Sequence, residues 1–236
     1  MQRILIIIPA RNEENTIAQV LVRLREVLPE ADRIVVNDGS TDATGSIISK
    51  LGEKQIPLPC NLGYGLALQT GLRYAVMQEY DVVVCMDADG QHRPEDVPSL
   101  VAALTERNVD MLIGSRFCHP LAYDSTFGRR IGQKLFSYLT NVFTGYRIYD
   151  TTSGFKVFNL AACRVLAEGT FWDFHVEAIV RLSLAGYRVE EHPVTVNKRS
   201  YGVSMHSFAS VFHYPLKTLL LTFVATADAL LSRREK

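Results

Sequence analysis

Short apolar runs alternate, along the first half of the chain, with longer stretches whose apolar residues recur every three or four positions. Ile4–Ile8 is the first run and closes at Pro9. From Asn15 to Leu28 the apolar residues Ile17, Val20, Leu21, Leu24, Val27 and Leu28 fall on one side of a helix. Ile34–Val36 predicts a second strand, and Thr41 to Leu51 a helix capped at Ser40 or Thr41. Gln55–Leu58 is a weak third strand. Gly63 to Gln78 predicts a helix, Val82–Met86 a fourth strand, Pro94 to Arg107 a helix with proline in its first turn, and Met111–Gly114 a fifth strand. Strands and helices in this rhythm predict an α/β fold, a mainly parallel sheet flanked by helices.

The second half is less regular. Ser125 to Phe143 predicts a helix, Phe155–Phe158 a short strand, and Phe174 to Ala185 a helix stopped by Gly186. Arg188–Val196 predicts a strand; Pro193 places it at a sheet edge or puts the proline at a strand end. His206 to Ser232 predicts a final helix. Residues 1–205 are expected to form one catalytic domain, with residues 206–236 an amphipathic helix appended to it.

Composition narrows the classes. Hydrophobic residues make up 47% of 236 positions, enough for a sizeable core. Lys and Arg total 25 and Asp and Glu total 25, so no long-range basic field for nucleic acid is expected. The four cysteines, Cys60, Cys85, Cys118 and Cys163, form no CxxC pair. That argues against a zinc site or disulfide framework and for a reducing cytoplasm. The apolar run at the N-terminus is too short for a signal peptide, and no stretch reaches the roughly 20 apolar residues of a membrane span.

In an open α/β sheet, ligands bind beyond the carboxyl ends of the strands. Polar residues collect at those positions: Ala10-Arg11-Asn12-Glu13, Asn37-Asp38-Gly39-Ser40-Thr41-Asp42, Asn61-Leu62-Gly63-Tyr64-Gly65, Asp87-Ala88-Asp89-Gly90-Gln91 and Gly114-Ser115-Arg116. Each segment alone is also a good turn or helix cap. Asp87 and Asp89 follow an apolar strand directly. Two residues apart on a strand, their carboxylates would point to one side and converge. Carboxylates that close repel unless a cation or solvent separates them, and hard oxygen donors suit Mg²⁺ or Mn²⁺.

These segments resemble the family 2 glycosyltransferases of the GT-A fold, in that family's order. The matching pieces are Pro9-Ala10-Arg11-Asn12-Glu13, Asn37 to Asp42, Asn61 to Gly65 and Asp87 to Gly90. The second half is similar to the polyprenyl-phosphate, dolichol-phosphate-mannose-like branch through Gly114-Ser115-Arg116, Asp150-Thr151-Thr152-Ser153-Gly154-Phe155-Lys156, and Arg199 with Gly202 and Ser204. The resemblance implies a nucleotide-diphospho-sugar transferase fold. It implies a nucleotide-sugar pocket framed by Pro9, Arg11, Glu13, Asn37, Asp38, Asn61, Gly65, Asp87, Ala88, Asp89 and Gln91. Asp87 and Asp89 would hold Mg²⁺ or Mn²⁺ with the donor diphosphate. Arg116, Arg199 and Ser204 would grip phosphates. Asn37 departs from the family's more usual second acid, and Lys156 stands where arginine is common.

The implied reaction attacks the anomeric carbon with inversion and expels a nucleoside diphosphate. A hydroxyl acceptor needs a base, whereas a lipid phosphate is already an anion. Asp150 is the candidate base-like carboxylate and Glu177 a second. Arg116, Arg129, Arg130, Lys134, Lys198 and Arg199 could rim an acceptor phosphate. The favoured substrates are a GDP-mannose or UDP-glucose type donor and polyprenyl phosphate. A glycan or soluble hydroxyl acceptor, or a catalytically silent nucleotide-sugar-binding module, are the competing functions.

The final stretch sets Phe208, Val211, Phe212, Leu216, Leu219, Leu220 and Phe223 on one helical face, with Arg233, Arg234 and Lys236 at its end. Three partners suit such a face: an anionic membrane surface, the catalytic domain itself, or a second copy or separate membrane subunit. The expected location is cytoplasmic, peripheral on the cytoplasmic face of a membrane.

Overall fold

The computed structural model describes residues 2–118, 137, 140, 141, 144–169, 171 and 174–197. The expected helices over 125–143 and 206–232, the 205/206 boundary, and Arg129, Arg130, Lys134, Lys198, Arg199 and Ser204 lie, in whole or in large part, outside these residues.

The described strands are β1 (Ile4–Ala10), β2 (Asp32–Asn37), β3 (Lys54–Pro57), β4 (Val82–Cys85), β5 (Met111–Ser115), β6 (Lys156–Asn159) and β7 (Val189–Pro193). The helices are α1 (Ile17–Val27), α2 (Thr44–Lys50), α3 (Tyr64–Met77), α4 (Val97–Glu106) after a 3₁₀ turn at Pro94–Asp96, α5 (Leu160–Glu168) and α6 (Phe174–Leu184). The strands form a seven-stranded sheet in the order β3-β2-β1-β4-β6-β5-β7. Every pairing is parallel except those of β6, which runs antiparallel to both β4 and β5.

Alternation along the strands divides the core. Leu5 and Ile7 of β1, Cys85 of β4 and Ile113 of β5 face α3, α5 and α6. Ile6 and Ile8, Val84 and Leu112 face α1, α2 and α4. Both sheet faces are covered, which is why these strands read as unbroken apolar runs. Gly71 lets α3 lie against β1: a Cβ there would come within 2.4 Å of Ile7 Cγ2.

Several details differ from the sequence expectations. α2 starts at Thr44 rather than Thr41, with Ala43 and not Ser40 or Thr41 at its cap position, because the Asp42 carboxylate takes the Thr44 amide at 3.0 Å. Pro9 does not end β1. It pairs with Val36, and the strand runs to Ala10. β4 ends at Cys85 rather than Met86, and residues 88–89 form a turn. The convergence of Asp87 and Asp89 by strand alternation therefore does not hold. α5 was not expected; the Asn159 carboxamide oxygen caps it by accepting from the Ala162 amide at 2.8 Å, a signal present in the chain. In the sheet, β6 lies between β4 and β5. Pro193 closes β7, which is an edge strand, so both alternatives for that proline are met.

Candidate active site

The loops after β1 and β2 are laced together. The Asn12 amide donates to Ser40 Oγ at 3.1 Å, and the Thr41 amide donates back to Asn12 Oδ1 at 2.9 Å. The Glu13 amide reaches Thr44 Oγ1 at 2.8 Å, and Thr16 Oγ1 donates to Glu13 Oε2 at 2.8 Å. Asn37 Oδ1 accepts from the Ser40 amide at 3.1 Å. Arg11 is exposed and has no ion pair among the described residues, while Pro9 is buried in the sheet.

Asp38 is buried and both its oxygens are occupied. Oδ1 accepts from the Leu62 amide at 2.7 Å and Oδ2 from the Gly63 amide at 3.0 Å. This carboxylate therefore fixes the entry to α3, where a negative charge is also favoured by the helix dipole. Asn61 Oδ1 shares the Gly63 amide at 3.2 Å, and Asn61 is exposed. Gly39 sits at φ +60° with its α-carbon pressed on the same loop; a Cβ would lie 2.4 Å from the Cys60 carbonyl carbon. Gly65, in the first turn of α3, packs on the Phe171 carbonyl.

α3 begins at Tyr64, and this residue joins the first loops to the second aspartate cluster. Its phenol donates to Asp87 Oδ1 at 2.9 Å. Its ring stacks on His175, with centroids 4.9 Å apart. Burial, then the nearby Asp87 charge, pushes the Tyr64 phenol well above its usual range, so it stays a donor. On the other side of Asp87 stands Gly154. The β4–β6 register sets Cys85 opposite Lys156, and two residues further on Gly154 meets Asp87. A Cβ on Gly154 would sit 2.2 Å from Asp87 Oδ2. No described residue donates a hydrogen bond to that oxygen.

Beneath the turn lies His92, buried and stacked on Phe155 with centroids 5.0 Å apart. The Asp87 amide donates to His92 Nδ1 at 3.2 Å, so the ring proton is on Nε2. Burial holds the imidazole below its usual value against the opposing pull of Asp87. Asp89 Oδ1 accepts from the Gln91 amide at 3.0 Å, Ala88 is buried, and Gln91 O accepts from Asn197 at 2.9 Å.

A third cluster follows β5. Arg116 grips Asp150 in a two-pronged ion pair, Nε to Oδ2 and Nη2 to Oδ1, both at 2.7 Å. The Arg116 amide adds a third bond to Oδ2 at 3.0 Å, and Nη2 also reaches Thr152 Oγ1 at 3.1 Å. The Asp150 side chain is fully buried, whereas that of Arg116 is 21% exposed. Asp150 is thus arranged as the holder of Arg116; a base role would require this pair to open. Lys156 is buried beside Cys85, its Nζ donating to the Ser153 carbonyl and lying 3.3 Å from His175 Nδ1. Glu177 is also buried, in α6.

Residues 5–166 match the family described as glycosyl transferase family 2. The chain belongs to glycosyl transferase family 2. Among curated relatives of this glycosyltransferase, an undecaprenyl-phosphate mannosyltransferase of Micrococcus luteus is 31% identical, over 87% of this chain and 88% of its own. A polyprenol monophosphomannose synthase of Mycolicibacterium smegmatis is 28% identical, over 89% of this chain and 83% of its own. These relatives support the polyprenyl-phosphate sugar transferase branch. A glucosyl-3-phosphoglycerate synthase of Mycobacterium tuberculosis, crystallised with Mn²⁺, UDP-glucose and phosphoglyceric acid, has the same fold. It superposes with a TM-score of 0.71 at 20% identity, covering 94% of this chain and 79% of that one.

The candidate site also includes residues to which the sequence alone assigns no role. Tyr64 lay within a recognised segment but received no role. His92, His175 and Glu191 received none either. The signal for Glu191 was available: with Val189 and Pro193 it occupies one face of a strand, and a lone acid on an apolar face needs a partner.

Proposed function

We propose that this family 2 glycosyltransferase moves a hexose from a GDP-mannose or UDP-glucose type donor to polyprenyl phosphate, with inversion and with a divalent metal. The observation carrying the acceptor is the occupied state of Asp150. A hydroxyl acceptor must lose a proton to a base, but here both carboxylate oxygens are held by Arg116. A phosphate needs positioning by cations instead, and the guanidinium so held is partly exposed beyond β5. The names of the curated relatives support the same acceptor class.

The donor side rests on Asp87 and Asp89. Hard carboxylate oxygens are suitable donors for Mg²⁺ or Mn²⁺, and such ions keep positions for phosphate and water. Asp87 fits: Tyr64 orients one oxygen, the other packs where a Cβ on Gly154 would stand, and the side chain remains 31% exposed. When bound, the metal would offset the charge that develops on the departing diphosphate. The chain's own contribution is to hold these carboxylates still. Tyr64 and His92 fix Asp87 from two sides, and the Gln91 amide holds Asp89. Pro9, Arg11, Glu13, Asn37, Asp38, Asn61, Gly65, Ala88 and Gln91 are proposed to frame the nucleotide. Within that group Asp38 acts through the α3 entry loop, its oxygens being occupied there. Lys198, Arg199, Ser204 and Arg129 complete the proposed acceptor-phosphate set.

No described helix is long and apolar enough to cross a membrane. A lipid acceptor places the enzyme at the cytoplasmic membrane face, with residues 206–236 or a membrane subunit as the contact. The test is incubation with Mn²⁺, GDP-mannose or UDP-glucose, and short-chain polyprenyl phosphate, read by mass spectrometry of the lipid. A glycosylated lipid phosphate is the expected product. Transfer to sugar hydroxyls with none to the lipid would overturn the acceptor assignment.

A further inference from the structure

Glu191 lies in the middle of β7, opposite Ile113 of β5. Strand alternation turns it to the face shared by Val189 and Ile113, where it is partly buried. A carboxylate on that face is costly unless its oxygens are satisfied. Glu191 meets this need by reaching the loop before β6. Its Oε1 accepts from the Asp150 amide at 2.7 Å and its Oε2 from the Tyr149 amide at 2.9 Å.

The consequence passes directly to Arg116. Asp150 is anchored at its own backbone by Glu191, and its side chain then takes three bonds from Arg116. Arg116 leaves β5 immediately after Ser115, and β5 pairs with β7 so that Ile113 stands opposite Glu191. Glu191 therefore joins both segments that carry the ion pair, its backbone lying in the strand paired with β5 and its carboxylate holding the loop at Asp150. Tyr149 itself is exposed, so the two adjacent amides are not held by burial of that side chain.

We propose that Glu191 is a positioning residue for Arg116: by accepting the Tyr149 and Asp150 amides together, it sets the Asp150 carboxylate and so fixes the guanidinium that meets the acceptor phosphate. The inference rests on the reading of Arg116 given above. Glutamine at 191 keeps one acceptor oxygen but turns an NH₂ group toward an amide donor, so one of the two bonds is lost with little change in volume. Aspartate is one methylene shorter and cannot span both amides at once.

Amide and guanidinium hydrogen exchange, followed by NMR, tests this without substrate. In Glu191→Gln, the Tyr149 and Asp150 amides and the Arg116 Nε–H should exchange at least tenfold faster than in the parent. The Met111 and Leu112 amides of β5 should keep their rates. Glu191→Asp should likewise exchange faster than the parent. If the two amides quicken while Arg116 Nε–H does not, Glu191 is a loop staple without influence on Arg116, and the proposal is overturned. Unchanged amides overturn it too.

Kinetics separate the proposal from the reading beneath it. With short-chain polyprenyl phosphate, Glu191→Gln should raise the acceptor KM or lower kcat about tenfold. Binding of GDP or UDP with Mn²⁺ should stay within about twofold. Combined with Arg116→Lys, the losses should be far from additive, since both act on one guanidinium. Arg116→Lys without effect on any acceptor parameter would sink the Arg116 reading. A strong Arg116→Lys effect that adds fully to that of Glu191→Gln would sink the Glu191 inference.

Discussion

The Tyr64 phenol donates to Asp87 Oδ1 at 2.9 Å, joining the first turn of α3 to the end of β4. This bond holds a carboxylate that an ion must meet in one orientation. Tyr64→Phe keeps the stack on His175 and deletes the bond. The expected result is a loss of about tenfold in Mn²⁺-dependent nucleotide affinity, about 1.4 kcal/mol, with turnover falling alongside. Titration calorimetry with GDP or UDP and Mn²⁺ checks it. Tighter metal-dependent binding would mean that orientation is not what the phenol supplies.

Gly154→Ala places a methyl group 2.2 Å from where Asp87 Oδ2 now lies. The side chain can rotate away, so the fold should survive with a small loss of melting temperature. The carboxylate should not remain in place. Transfer should fall at least about a hundredfold, a loss typical of misplaced reacting groups. Circular dichroism beside a transfer assay gives the comparison, and near-parental activity would show that Asp87 tolerates another rotamer.

Asp89→Ala removes the carboxylate that caps the Gln91 amide. Loss of one such cap costs about 1 kcal/mol, so the folded protein should persist. Transfer should be abolished and Mn²⁺ should no longer sharpen nucleotide binding. Retained metal-dependent turnover would remove Asp89 from the metal assignment.

Lys156→Met tests a buried cation at the floor of the site. It deletes the donor to the Ser153 carbonyl, which precedes Gly154. An acceptor left without its partner costs about 2 kcal/mol. Urea unfolding should show a lower midpoint with an unchanged slope. A more stable variant would mean that desolvation of the ammonium outweighs its bonds.

Burial raises the Glu191 carboxyl above its usual value, and the Asp150 charge adds to this. The folded state then holds this proton more tightly than the unfolded state. Stability from this group is present below the ordinary carboxylate range and is lost as pH rises through the raised value. The stability difference between the parent and Glu191→Gln should therefore shrink as pH rises from about 4 toward 7, in the range where carboxylates titrate. Nearby Asp150, Arg116, Arg107 and Cys118 are common to both proteins. Urea midpoints at several pH values measure this, and a difference that widens with pH would refute it.

Much of this enzyme was legible before any coordinates. Unbroken apolar runs such as Ile4–Ile8 and Val82–Met86 determined strands buried on both faces, because a residue with no polar neighbour to turn outward must lie between two layers. The segments after those runs gave the candidate site, since open α/β sheets bind ligands at their carboxyl ends. What tertiary structure decided was pairing. β6 runs antiparallel between β4 and β5, and that register sets Gly154 against Asp87. It also brings the loop at Asp150 to Arg116, and Glu191 beneath it. These partners stand 34 to 67 positions apart. Local periodicity carries no information about such distances, because hydrogen bonding between strands depends on the whole sheet being assembled. The sequence by itself determined the candidate segments, because their polar residues follow buried strands. The assembled sheet decided that Asp150 meets an arginine before it can meet a proton.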